Sequence, residues 1–258
     1  MQPAIVVTGA SSGLGVEFAG LAAQEGAKVV LIARSVPALA ALAVQIDPTG
    51  SSCVVLGCDL SRPQAGETIA RELEARGLYC DILVNNAGFG LFGDACELDR
   101  ETQLGIIGVN MRAATELTLR FLPAMIARGR GHVLNVGSVA SFVSGPRMAV
   151  YFATKAYLLS FSQALTQELK GSGVTMTCLC PGPLKTPFLA LAGADRTALF
   201  KGLRKLGAAQ VARAGWDAMK AGQTLCVPGI ANRITVAATR FLPRAMLLAI
   251  VGRLQRRR

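Results

Sequence analysis

Apolar residues along the chain fall into two habits. Short continuous runs rich in Val, Ile and Leu, namely residues 4–8, 28–33, 53–58, 81–85, 132–136 and 174–180, read as strands covered on both faces. Between them, apolar positions recur at helical spacing over 16–26, 37–46, 64–76 and 150–171. Residues 102–128 form a longer helical stretch, expected to break near Pro123 because proline lacks the N–H that a helix interior needs. The pattern loosens over 188–206, resumes as a helix over 208–221, and is followed by a seventh candidate strand at 223–227. This alternation predicts an α/β fold, a single Rossmann-like doubly wound domain over residues 1–229, with a parallel sheet of about seven strands and right-handed crossovers. Residues 230–258 read as a basic, partly apolar helical C-terminal extension of the same domain, in two pieces separated at Pro243.

Composition sharpens this in three ways. The chain is 52% hydrophobic but only 5% aromatic, so the core is aliphatic. The net charge of +11 is local: residues 1–195 carry 14 basic and 15 acidic side chains, whereas 196–258 carry 13 basic and one acidic, Asp217. A local excess points to a surface that meets something anionic, such as lipid headgroups. No recognition motif or aromatic platform accompanies the charge, so nucleic acid is not an expected partner. The seven cysteines are odd in number and lack any Cys-x-x-Cys, which argues against a metal site or disulfide framework and for reduced thiols in the cytosol. Cys178 and Cys180 are expected to point to opposite sides of their strand. With no charged leader or long apolar segment before the first strand, a cytoplasmic location is expected, peripheral to the inner membrane face if the tail engages lipid.

The candidate chemistry centres on Tyr151 and Lys155. Four residues apart on a helix, they share a face. An ammonium one turn away favours phenolate, so Lys155 is expected to lower the Tyr151 pKa and make it a usable acid/base. Ser138, just after the strand at 132–136, can hold a carbonyl oxygen while Tyr151 transfers the proton. Gly9, Gly13 and Gly15 form a Gly-x-x-x-Gly-x-Gly turn between the first strand and the first helix. There glycines let the backbone approach a pyrophosphate and the helix N-terminus offers free N–H groups. The same residues match a Gly-x-Ser-x-Gly nucleophile elbow, but only eight residues precede Gly9. The sole histidine, His132, reads as a surface residue at a strand start.

In this order the motifs resemble the short-chain dehydrogenase/reductase family over residues 4–187. Thr8-Gly9-Ala10-Ser11-Ser12-Gly13-Leu14-Gly15 matches its phosphate loop, Cys58-Asp59-Leu60 its adenine contact, and Asn85-Asn86-Ala87-Gly88 its fourth-strand motif. Asn110, Ser138, Tyr151 and Lys155 match its catalytic tetrad, and Pro181-Gly182 with Thr186 its nicotinamide-side motif. The resemblance implies hydride exchange between a nicotinamide and a carbonyl or secondary alcohol. Lys155 would also bind the nicotinamide ribose, and Asn110 would hold a water linking Lys155 to solvent. It further implies a homodimer or homotetramer joined through helices 102–128 and 150–171.

At the end of the second strand, where an acidic residue would bind a ribose 2′-hydroxyl, the chain has Ala33, Arg34 and Ser35; Arg34 can pair with a 2′-phosphate. NADP(H) is therefore expected, ahead of NAD(H). The pocket residues are expected to be Phe89, Leu91, Phe92, Phe142, Val143 and 188–191, mostly apolar, which suits a lipid-, steroid- or 3-oxoacyl-like carbonyl. The alternative reading is a non-catalytic NADP-binding or membrane-associated scaffold, which the intact Ser138, Tyr151 and Lys155 disfavour. The tail from Arg244 pairs a short apolar run with a basic end. It either packs on its own sheet or a partner subunit, the preferred expectation, or lies in a membrane interface.

Overall fold

The apolar runs lie side by side as seven parallel strands: β1 (Gln2–Thr8), β2 (Lys28–Ala33), β3 (Cys53–Gly57), β4 (Leu78–Asn85), β5 (Gly131–Val136), β6 (Val174–Leu179) and β7 (Leu225–Cys226). A computed structural model describes residues 1–184, 186, 188–194 and 206–255, without the side chain of Leu189. The strands form one sheet in the order β3-β2-β1-β4-β5-β6-β7. The chain winds outward from β1 to β3, then returns to β4 on the other side of β1. That reversal opens a crevice beyond the carboxyl ends of β1 and β4, where doubly wound sheets bind ligands.

Successive strand residues face opposite layers. Ile5, Val7, Leu31 and Leu134 pack with Phe18, Leu39 and Trp216 of helices α1 (Leu14–Ala23), α2 (Val36–Ile46) and α8 (Ala208–Lys220). Val6, Ile32, Leu83 and Val133 pack the other way, against α3 (Ala65–Ala75), α5 (Ala114–Arg128) and α6 (Ala149–Glu168). Between β4, β5, α5 and α6 the core holds a polar string. The Asn85 amide donates to Asn135 Oδ1 at 2.9 Å and to Thr118 Oγ1 at 3.0 Å, and Asn135 donates to Ser162 Oγ at 2.9 Å. Buried amides need such partners, and the string ties the two central strands to both helices.

Three expectations are corrected. The break in the 102–128 stretch is a π-helical segment at Gly108–Ala113 between α4 (Arg100–Ile107) and α5, whereas α5 runs through Pro123 unbroken. Pro123 and Leu119 are both exposed, so the carbonyl deprived of its helical donor lies on the wet side. Cys178 and Cys180 share one face of β6, as residues two apart in a strand must, with their sulfurs 3.7 Å apart. His132 is half-buried and bonded through Nδ1 to Thr175 Oγ1 at 2.7 Å, and burial lowers its pKa.

The C-terminal pieces are α9 (Ile230–Ala238) and α10 (Arg244–Leu254), parted at Pro243. Val251 and Gln255 are buried and Leu247 is half-buried, a single stripe at helical spacing. The remaining apolar residues of α10 face outward. Among the described residues no helix is long and apolar enough to cross a membrane.

Candidate active site

The glycine turn is built against the end of β4. Gly9 has φ +65°, and a Cβ there would lie 2.8 Å from Ala87 Cα; a Cβ on Gly15 would lie 2.1 Å from the Gly9 carbonyl oxygen. Neither position tolerates a side chain. Thr8 fixes the arrangement: its Oγ1 donates to Val84 O at 3.1 Å and accepts from Asn86 N and Ala87 N, each at 3.0 Å. Asn86 Nδ2 returns the contact, donating to Thr8 O and Gly9 O. Gly13, at φ +58°, caps α1 without a side-chain hydrogen bond, so that apart from Gly15 N, which bonds to Ser12 O, the first turn of the helix can turn its N–H groups to an anion. Thr186 comes close to Gly13, as 3.6 Å between its Cβ and a Cβ built there indicates. A bare backbone cradle with free donors fits a dinucleotide pyrophosphate.

Other expected cofactor residues differ in what they can offer. The Leu14 and Leu60 side chains are core, so only their backbones are available. Ser11 and Ser12 lie on the turn, and the Ser12 carbonyl accepts from Gly15 N at 3.1 Å. Arg34 is exposed at the end of β2, and it helps hold the Asp59 pKa down, after the larger effect of hydrogen bonds from Ser61. Ser35 is the N-cap of α2, its Oγ accepting from Ala38 N at 3.4 Å, a structural duty in its own right. At the end of β6, Pro181 O accepts from Val139 N at 2.9 Å, and a Cβ on Gly182 would meet Asn232 of α9 at 2.5 Å.

The strand-four motif joins this cradle to the tetrad. A Cβ on Gly88 would lie 3.1 Å from Asn110 Oδ1 and 3.5 Å from Lys155 Nζ, and one on Gly90 would lie 3.1 Å from the Tyr151 ring. Asn110 sits inside the π segment and is buried. Its amide exchanges bonds with the Phe89 backbone, at 3.1 Å to N and 3.0 Å to O, and donates to Thr154 Oγ1 at 3.1 Å. Thr154 donates in turn to Tyr151 O at 2.7 Å. Ser138 caps the 3-10 turn Val139–Phe142, receives a bond from Ala140 N, and lies near enough to the Tyr151 phenol to act on its pKa. Lys155, only 5% exposed, donates from Nζ to Val136 O at 2.7 Å.

The expected electrostatics are reversed. Burial pushes the Tyr151 pKa up to about 12, opposed by the neighbouring Ser138 hydroxyl, and burial brings Lys155 down to about 8. Lys155 does not lower Tyr151 here because its Nζ is aimed at Val136 O and lies 5.8 Å from the phenol ring centroid. Tyr151 is thus held as the neutral acid. Clustered with it are Phe92, Phe152, Phe188 of the one-turn helix α7 (Phe188–Leu191), Ala192 and Val251, with Val143 alongside. Phe142 packs elsewhere, with Leu159, Cys178 and Cys180, and Leu191 is largely exposed. Lys185 and Pro187, either side of Thr186, lie outside the described residues.

A model of the short chain dehydrogenases matches residues 3–197. The chain belongs to the short-chain dehydrogenase/reductase family. An uncharacterised oxidoreductase of Myxococcus xanthus is 36% identical over 185 residues, 72% of this chain and 73% of that protein. A short-chain dehydrogenase from Sphingobium yanoikuyae, solved in complex with NADPH, is 30% identical with a TM-score of 0.80, covering 93% of this chain and 94% of that one. A family member from Burkholderia phymatum in complex with NAD is 28% identical, also at TM-score 0.80, covering 92% of each chain. Oxidoreductase chemistry on a bound nicotinamide dinucleotide follows from membership of the family.

Sequence reasoning placed Thr8 in the phosphate loop without its bonds to the end of β4, and passed over Thr154 and the Val136 carbonyl. Thr154 was detectable: with Tyr151, Lys155 and Leu158 it completes an inward helix face, and a polar residue on such a face has a partner to serve. The Val136 carbonyl carries no sequence signal.

The Lys155 shift has a measurable sign. Its usual pKa is 10.5 and its folded value is about 8. Between these the unfolded chain binds more protons than the folded one, so this group makes stability rise with pH across that window. The stability of the wild type relative to Lys155→Met, from urea midpoints, should therefore increase from pH 8 to pH 10.5. A difference flat across that range would contradict the buried ammonium.

Proposed function

We propose that the protein is an NADP(H)-dependent reductase or dehydrogenase acting on an apolar carbonyl or secondary alcohol of lipid-, steroid- or 3-oxoacyl-like kind. The observation that carries this reading is the convergence of Asn110, Ser138, Tyr151 and Lys155 on one end of a side-chain-free glycine cradle. Gly9, Ser11, Ser12, Gly13 and Gly15 would hold the pyrophosphate, and Asp59 and Asn86–Gly88 the adenosine side. Arg34 and Ser35 would hold a 2′-phosphate, and Pro181, Gly182 and Thr186 would flank the nicotinamide. The bound nicotinamide supplies or accepts the hydride at C4.

In the reducing direction Ser138 orients the substrate oxygen by a hydrogen bond. The carbonyl carbon gains the hydride and its oxygen gains the proton from the Tyr151 hydroxyl. The high pKa of Tyr151 keeps that proton in place until charge develops on the substrate oxygen. Lys155, its ammonium held at Val136 O, would bind the nicotinamide ribose. Reprotonation proceeds from solvent past Lys155 by a water held at Asn110. The aromatic and aliphatic wall around Tyr151 supports an apolar substrate. Exposed Leu104, Ile107 and Ile126 on α4 and α5 favour a homodimer or homotetramer built through that face.

Tyr151→Phe removes the proton donor and keeps the ring. It should lower turnover of apolar ketones by at least about 10²-fold, with NADPH binding by fluorescence titration retained. Turnover within a few-fold of wild type would remove Tyr151 from the mechanism. For the cofactor, KM for NADPH should lie below that for NADH, and Arg34→Ala should raise the NADPH value about tenfold, the loss expected for a charge-assisted hydrogen bond. A clear preference for NADH would refute the assignment.

A further inference from the structure

We propose that the outer face of α9 and α10 docks on an anionic lipid bilayer. Along these two helices and their junction, Ile230, Ile234, Leu242, Met246, Leu248, Ile250 and Leu254 are exposed, and Phe241 at the junction is 86% exposed. Single exposed apolar residues are ordinary, but this many on two consecutive elements mark an interaction surface. The cause is in the sequence: α10 is apolar nearly all round, yet only the Leu247, Val251 and Gln255 stripe has protein to pack on.

The charge identifies the occupant. Arg233, Arg240, Arg244 and Arg253 are exposed among these apolar residues, no acidic residue follows Asp217, and the sequence ends in three further arginines. A two-fold contact with a second copy through this face would set arginines against arginines, because such contacts pair a patch with itself. Anionic headgroups neutralise the same charges while the acyl boundary takes the apolar side chains. At 1.5 Å per residue the eleven residues of α10 extend about 16 Å, half a hydrocarbon core, so the helix lies flat in the interface.

The end of the helix is also tied to the body of the domain. Arg147 donates to Gln255 O at 3.1 Å from Nη1 and lies 3.4 Å from Asp94 through Nε, tying the end of α10 to the loops before α6 and after β4. On its inner side Val251 belongs to the wall around Tyr151. The outer surface and the cluster that holds Tyr151 are thus two sides of one helix. The docking itself does not require the oxidoreductase reading; delivery of an apolar carbonyl from the bilayer to this pocket rests on it.

The test is flotation of the full chain with vesicles of phosphatidylglycerol and phosphatidylcholine, against phosphatidylcholine alone, with NADPH binding and light-scattering mass measured in parallel. Partition into the anionic vesicles should exceed that into neutral ones at least tenfold. Phe241→Asp should lower it at least tenfold. Arg240→Gln with Arg244→Gln should lower it about 25-fold, from about fivefold per arginine. In both variants NADPH binding and mass should stay unchanged. Absence of flotation, equal flotation with neutral vesicles, or partition unaltered by either variant would overturn the proposal. So would dissociation of an oligomer by Phe241→Asp, which would assign the face to a second copy.

Discussion

A lysine ammonium at 5% exposure needs an acceptor or it cannot be held inside a protein. Lys155 finds one in Val136 O, the last carbonyl of β5, at 2.7 Å. That bond fixes α6 to the strand end one turn from Tyr151. Since Ser138 follows Val136 by two residues, the same strand end delivers the serine. Gly137 between them is closely packed, because a Cβ would sit 3.0 Å from both Cys178 and Cys180 sulfurs and they would have to give way. The strand-end carbonyl, the lysine and the packed thiols thus set the spacing of Ser138 to Tyr151. The strain of burying the ammonium is visible as its lowered proton affinity.

The second half of the site is positioned from β1 by an analogous economy. Thr8 and Asn86 exchange bonds across the reversal point of the sheet, so the glycine turn and the Asn86–Gly88 segment form one body. Gly88 then reaches Asn110 and Lys155. The crevice is therefore framed by strand ends, while the apolar wall over Tyr151 comes from less regular chain and from α10.

The alternation of aliphatic runs and helical spacings made the parallel sheet legible, because strands covered on both faces admit few polar residues. Tetrad and glycine-turn residues were legible as motifs, since their chemistry dictates residue type and order. The π segment was not: a π bulge needs no particular residue, and Pro123 drew the break to the wrong place because its solvent-facing position is invisible in a linear pattern. Spacing placed Lys155 beside Tyr151 but could not show that burial outweighs that proximity, nor that a backbone carbonyl claims the ammonium. The tail's dual nature was half legible. Its basic and apolar content stood in the sequence, whereas the narrowness of the stripe that packs appears only once the body is folded.

The central claim is that hydride passes between a nicotinamide and a substrate carbonyl at Tyr151. The most direct measurement supplies NADPH deuterated at C4, on the transferable face, with an apolar ketone, and reads the alcohol product by mass spectrometry. The account predicts one deuterium, on the carbinol carbon. An alcohol without the label, or no alcohol from any of a range of apolar ketones while the labelled cofactor is bound, would contradict it.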